Sequence, residues 1–261
     1  DVPWYRDTPV NGDLRKASNI LTEFEGLKST QRQNLIAAYI TRLFLKGGFE
    51  IVPQPDGSKP RMLVKDLPDT AAPDDDNDTK LESELHSFIK EAAGDDRILQ
   101  KNELRRWSRY NGRTLYAWSN RIENGATVWT MKPEEVRQVF GLRKFLKDFT
   151  LIKDRGVVEV KLWNDYLVFA SLYGIADQVI KDFRKVCPEY FRLSSSAEFF
   201  DDSATNIMIW DMINMTSRDF NVAASTYEAS LNSSSSGGGG GSSSWGGGGG
   251  FSGGGSGGGG R

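Results

Sequence analysis

The sequence predicts a mainly α protein: a winged-helix-like N-terminal unit with a short β-hairpin, then a helical domain, then a disordered Gly/Ser-rich tail. Three observations lead there. Apolar residues recur at i, i+3, i+4 and i+7 along most of the chain, the spacing of one helix face. Only two β-prone segments of any length stand out, FEIVP and PRMLVKDLP, flanking Pro55-Asp56-Gly57. From Ser233 onward the chain is almost entirely Gly and Ser, with nothing to bury.

The elements follow in order. Residues 1–66 form the winged-helix-like unit. Asn11 or Asp13 caps a helix running to Glu25, with Leu14, Ala17, Leu21 and Phe24 on one face, and Gly26 ends it. Ser29 or Thr30 caps a second helix, with Leu35, Ile36, Tyr39, Leu43 and Phe44 inward, stopped by Gly47-Gly48. The two β-prone segments then make a hairpin. In a winged helix, the helix before the hairpin can read DNA. Here it carries only Arg32, Arg42 and Lys46 as cations, so a structural or protein-binding role is favoured.

Residues 67–79, with Pro68, Pro73 and the run Asp74-Asp75-Asp76-Asn77-Asp78, are expected to be an acidic linker. They fail as a calcium loop, since the central glycine and the terminal glutamate are missing. Residues 80–231 are the helical domain: a second winged-helix-like block and the core helices. A helix through Leu81, Leu85, Phe88 and Ile89 breaks at Gly94-Asp95-Asp96, and Ile98-Leu99 is a short extended pair. Asn102 caps a helix rich in arginine and aromatics, from Arg105 to Arg121. Cations interleaved with aromatics can bind nucleic acid by phosphate contact and stacking, so Arg105, Arg106, Arg109 and Arg113 are the candidate contact residues. The competing reading is favoured: Leu104, Trp107, Leu115 and Trp118 are core, and the arginines are a solvated face. Pro133, followed by Glu134 and Glu135, opens the next helix.

Gly141–Phe191 has the densest apolar periodicity. Gly141–Ile152 is amphipathic through Leu142, Phe145, Leu146 and Phe149, and Val157–Val160 is an extended connector. From Leu162 to Phe183, one row (Leu162, Tyr166, Phe169, Tyr173, Ala176, Ile180, Phe183) lies beside another (Trp163, Leu167, Ala170, Gly174). That breadth predicts burial on more than one side. Asp165 and Asp177 bracket only eleven uncharged residues, too few for the roughly 20 of a membrane span. A polar connector precedes a last amphipathic helix over 204–231, with Ile207, Met208, Trp210, Met212, Ile213 and Met215. Residues 232–261 are the disordered tail.

Composition narrows function. With 33 basic and 35 acidic side chains, the net charge of −2 argues against a chain dominated by nucleic-acid or anionic-membrane electrostatics. One cysteine, Cys187, excludes an internal disulfide and reads as an apolar filler. The single histidine, His86, sits between Leu85 and Phe88 with no nucleophile motif nearby. No phosphate-loop or dinucleotide motif precedes a helix. No catalytic, cofactor-binding or metal-ligating residues are assigned, and a non-enzymatic chain is expected. A start at Asp1 without methionine suggests a fragment or processed product.

The segments WYRDTPVNGDLRKA and GLRKFLKDFTLIKDRGVVEVKLWNDYLVFASLYGIADQVIKDF, the CPEYF block and the glycine-rich terminus ending in Arg261 together resemble the C-terminal region of YciQ-like predicted bacterial membrane proteins, domain of unknown function 2207. The resemblance implies a cytoplasmic portion of a protein with transmembrane helices and an extracytoplasmic β-rich part, neither of which stands in this sequence. It implies a place on the cytoplasmic side of the cell membrane, reached through a part outside this chain. It supplies no catalytic residues. The function expected is a non-enzymatic scaffold or protein-interaction module with an unidentified protein partner. The alternative is a nucleic-acid-binding module using the winged-helix-like units, a partner class that the charge balance disfavours.

Overall fold

A computed structural model describes residues 2–52, 61–67, 77–124, 130–148, 160–186 and 203–234. A 3-10 turn, Pro9–Gly12, precedes nine helices among these residues: α1 (Leu14–Glu25), α2 (Lys28–Leu45), α3 (Asn77–Ala93), α4 (Lys101–Tyr110), α5 (Gly112–Asn124), α6 (Pro133–Asp148), α7 (Val160–Leu172), α8 (Ala176–Val186) and α9 (Ser203–Ser234). Three short strands, β1 (Phe49–Val52), β2 (Arg61–Val64) and β3 (Ile98–Leu99), form an antiparallel sheet in the order β1-β2-β3. The mainly helical expectation is met.

The N-terminal helices form for the reasons their sequence gives. The Asp13 side chain accepts from the Lys16 amide at 2.8 Å, and Gly26 closes α1 in the left-handed region. Leu14, Ala17 and Leu21 are buried as expected, but Phe24 is not. It is 60% exposed, its ring meeting the Phe140 ring edge-on at 5.5 Å. The inward stripe instead takes Ile20, one turn from Ala17. Leu35, Ile36, Tyr39, Leu43 and Phe44 of α2 are all buried. That helix begins at Lys28 without the expected Ser29 or Thr30 cap, its N-cap position being Leu27. It ends at Gly47, φ 79°, where the Gly48 amide reaches back to the Leu43 carbonyl at 2.9 Å. The hairpin follows as expected, in a register that sets Phe49 opposite Val64, while its Pro55-Asp56-Gly57 turn lies outside the described residues.

Packing crosses the sequence-based boundaries. The third strand comes from Ile98-Leu99, so the sheet that starts in residues 1–66 is completed beyond them. Helix α2 packs on α7 and α9, and one apolar cluster runs from Val10 to Phe220. Asn77 and Asp78, read as the end of the acidic linker, start α3. The Asp78 carboxylate accepts from the Leu14 amide at 3.1 Å and from the Tyr39 hydroxyl at 2.8 Å. Burial pushes both this carboxyl and the Tyr39 phenol above their ordinary values, and the Tyr39 contact pulls the carboxyl partly back. The rest of the acidic run, 74–76, lies outside the described residues.

The Arg-rich stretch is two helices, not one. Asn111 breaks it, its amide and side chain both bonding the Trp107 carbonyl at 3.0 Å. The expected Asn102 cap is also displaced. Helix α4 starts at Lys101, where Glu103 accepts from the Gln100 amide at 2.9 Å. The Leu162–Phe183 periodicity is likewise split, into α7 and α8. Gly174 takes φ 69°, and the Ile175 amide reaches the Ala170 carbonyl at 2.9 Å, the same closing motif as in α2. Both rows of α7 are buried, with Trp163, Tyr166, Leu167 and Phe169 against the core. Helix α6 opens at Pro133 as expected and runs to Asp148 as one element, burying Leu142, Phe145 and Leu146. Val160, expected in an extended connector, opens α7, and residues 232–234, expected to begin the disordered tail, end α9 in helix, because their backbone continues the hydrogen-bonded ladder of the preceding turns. Phe149, residues 157–159, Cys187 and residues 235–261 lie outside the described residues.

An N-terminal arm crosses α6 and α7. Trp4 donates to Asp148 at 3.0 Å, Lys144 to the Val2 carbonyl at 3.1 Å, and Tyr166 to the Arg6 carbonyl at 2.5 Å. Gly141 makes this approach possible. A Cβ there would stand 2.7 Å from the Pro3 carbonyl oxygen and 2.9 Å from Tyr5 Cβ.

Candidate functional site

Helix α9 carries Ile209, Ile213, Phe220 and Ala224 into the core. It is also fastened by polar contacts. Arg32 of α2, buried beneath it, donates from Nε to Asn221 Oδ1 and from Nη2 to Ser225 Oγ, both at 2.6 Å, and its Nη1 lies 3.2 Å from Glu123 Oε1 on α5. Asn221 donates in turn to Ser29 at 3.3 Å. Burial raises the Glu123 carboxyl, opposed by the Arg32 guanidinium and reinforced by Glu228. These contacts join α2, α5 and α9.

With α9 held there, its neighbouring face and α4 enclose a groove of about 670 Å³. Asn102, Arg105, Ser108 and Arg109 of α4 and Gly112 of α5 line one wall. Met215, Arg218, Asp219, Val222, Ala223, Thr226, Tyr227 and Ser230 of α9 line the other. Arg105 and Arg109 lie one turn apart on one face of α4, and Arg218 stands on the opposite wall. All three are exposed, and among the described residues none has a carboxylate within ion-pairing distance. Val222, 55% exposed, gives the groove an apolar patch.

The four arginines singled out from sequence therefore divide. Arg105 and Arg109 line the groove, whereas Arg106 and Arg113 are exposed outside it. The aromatics interleaved with them are mostly committed to packing. Trp118 is buried and donates to the Leu81 carbonyl at 3.0 Å, Trp107 lies against Phe88 and Phe220, and Tyr116 lies against Tyr227. Tyr110 differs, 85% exposed at the end of α4.

The three cations singled out from sequence on and just past α2, Arg32, Arg42 and Lys46, are spent within the fold. Arg32 serves α9, while Arg42 and Lys46 both pair with the buried Glu82, at 3.3 and 2.5 Å. His86 lies away from the groove lining. It faces the Phe49 ring at 5.5 Å with Nε2 3.4 Å from the Gly48 carbonyl oxygen, and burial holds its basicity below the ordinary value. At the loop after α3, Asp96 accepts from the Ile98 amide at 3.0 Å, a satisfied turn. Among the described residues, no three His, Cys, Asp or Glu side chains are grouped to hold a metal, and no helix is long and apolar enough to cross a membrane.

Arg218 had not been singled out from sequence. It was legible as the single basic residue of α9, but no sequence signal placed it opposite Arg105 and Arg109.

Residues 121–183, from the end of α5 into α8, match the family model described as the C-terminal domain of a predicted membrane protein, DUF2207. This family is one of predicted membrane proteins without an assigned function. No curated protein and no solved structure matches the chain. The matched segment covers α6 and α7, the helices under the N-terminal arm, and stops short of both α4 and α9.

Proposed function

We propose that the chain is a non-enzymatic protein-interaction module of a membrane protein, working as a scaffold on the cytoplasmic side of the cell membrane. The groove between α4 and α9 carries this reading. Arg105, Arg109 and Arg218 face it without acidic partners among the described residues, although acids are plentiful in the chain and neutralise Arg32, Arg42, Arg97, Arg121 and Arg143 elsewhere. Cations left unmatched beside an apolar patch suit a complementary surface. The non-enzymatic part is supported by where perturbed groups lie. Tyr39, Asp78, Glu123 and Tyr173 make contacts between helices, and none of them lines the groove.

The test is a photo-crosslinking amino acid placed at Val222 and, as a control, at exposed Lys28, in the full chain within its native membrane host. Protein adducts are expected from position 222 that disappear when Arg105→Glu and Arg109→Glu are added. Equal adducts from both positions, or none from 222, would overturn the reading.

A second reading rests on Tyr110. Exposed between Arg106, Arg109 and Arg113, it could stack on a nucleic-acid base while the guanidinium groups meet phosphates. A gel shift with single-stranded DNA that weakens steeply with salt and is lost in Tyr110→Ala would favour it.

A further inference from the structure

We infer that the α4–α9 groove takes an acidic amphipathic helix of a partner protein. This inference rests on the protein-interaction reading and specifies the chemistry of the partner. Length comes first. From Met215 to Ser230 the α9 wall is a continuous helical stripe, about 22 Å at ~1.5 Å per residue. A groove that follows one helix for four turns suits an elongated ligand, as in helix-in-groove recognition.

Relief comes second. Ala223 and Ser230 contribute little side-chain bulk to the α9 wall, so a partner backbone can come close there, whereas Gly112 is already covered by Tyr227, whose Cβ lies 3.5 Å from where a Cβ on the glycine would stand. Val222 and Met215 supply the apolar contact that an amphipathic helix needs along its buried stripe.

Charge settles the sign. Arg105 and Arg109 stand on one wall and Arg218 on the other, against the single carboxylate of Asp219. Carboxylates at i, i+3 or i+4 on both flanks of an apolar stripe would meet these guanidinium groups across the two walls. A flat anionic bilayer would reach one rim but not the recess. A nucleic-acid strand would leave Val222 and Met215 without apolar contact. Neither matches all three features as an acidic helix does.

The experiment uses the full chain and fluorescence anisotropy. The probes are a labelled synthetic peptide of repeating Leu and Glu at helical spacing, the same peptide with Lys for Glu, single-stranded DNA, and phosphatidylserine-containing vesicles measured by co-sedimentation. The Glu peptide is expected to bind saturably, with a dissociation constant in the micromolar range that rises with salt. Arg105→Glu with Arg109→Glu should weaken it about tenfold or more, Arg218→Glu severalfold, and Val222→Asp likewise. Arg106→Glu, a charge reversal outside the groove, should change it less than about twofold. Circular dichroism and melting temperature should match wild type for each variant, because these residues are exposed.

Failure of the Glu peptide to bind, equal binding of the Lys peptide, insensitivity to the groove variants, or tighter binding to DNA or vesicles would each overturn the inference. Adducts from position 222 without Glu-peptide binding would sink this partner chemistry and leave the interaction module standing. Absence of adducts together with absence of binding would remove both.

Discussion

Replacing Arg32 by Met should loosen α9 and do so in a pH-dependent way. The guanidinium makes two charge-assisted hydrogen bonds at 2.6 Å, an ion pair with Glu123 at 3.2 Å and a longer one with the half-exposed Glu228 at 3.8 Å. Hydrogen bonds to charged groups contribute about 1.5–3 kcal/mol each. Glu123 retains some solvent, its side chain being 26% exposed, so its pair counts for well under the ~3–5 kcal/mol of a fully buried one. Methionine fills part of the volume and recovers some apolar burial. The net loss should be about 3 kcal/mol, or roughly 6–12 °C in melting temperature for a domain of this size.

The sign of the pH dependence follows from Glu123. Burial already raises its carboxyl in the folded protein, and Arg32 is the main opposing influence. Removing Arg32 raises it further. A carboxyl whose folded pKa exceeds its unfolded value weighs against folding above the folded pKa, and that weight lifts as pH falls through the folded pKa towards the unfolded one. The destabilisation in Arg32→Met should therefore be larger at pH 8 than at pH 5. Adding Glu123→Gln should remove most of the difference, since the other carboxylate near Arg32, Glu228, is the more distant and more exposed of the two. Urea unfolding followed by circular dichroism gives the energies, and hydrogen exchange of 205–230 locates the loosening. A loss below about 0.5 kcal/mol, or one equal at both pH values, would refute the account of Arg32 as the fastener of α9.

Two further predictions concern the frame around the site. Gly141→Ala should gain about 1 kcal/mol of helix propensity in α6 yet expel the N-terminal arm, because the new Cβ meets backbone at 2.7 Å; acrylamide should then quench Trp4 more strongly and proteases should cut residues 2–8 faster, while an unchanged arm would contradict the packing. Asp78→Ala should cost about 2–4 kcal/mol by leaving the buried Tyr39 hydroxyl and the Leu14 amide without their acceptor, and a double-mutant cycle with Tyr39→Phe should show coupling in denaturant titrations.

Sequence periodicity was enough for helices α1, α2 and α6 because each carries an apolar stripe and a cap or stop of known chemistry: Asp13 and Gly26, Gly47, Pro133. The β1–β2 hairpin was legible from two short β-prone runs about one turn signal, whereas its register, Phe49 opposite Val64, came only with the structure. The aromatics at Trp107 and Trp118 could be read as core from spacing alone. Where periodicity runs unbroken through a left-handed residue, as at Gly174, or through Asn111, whose side chain caps the turn before it, the stripe continues in sequence while the axis changes direction. Those breaks escaped the sequence reading.

Composition and periodicity by themselves determined that this protein is mainly helical, nearly neutral and without a recognisable catalytic motif. Tertiary structure decided which charges are available. Arg32 and Arg105 are equivalent in sequence, each a cation on a helix, yet one lies buried under α9 with two carboxylates and two polar partners while the other lines an open groove. Asp78 belongs to an acidic run by composition and to the α1–α2–α3 junction by contact. The reason is physical: helix propensity and face are local properties, but the desolvation and pairing of a charge depend on elements as distant as residues 32 and 221, which only the packed chain brings together.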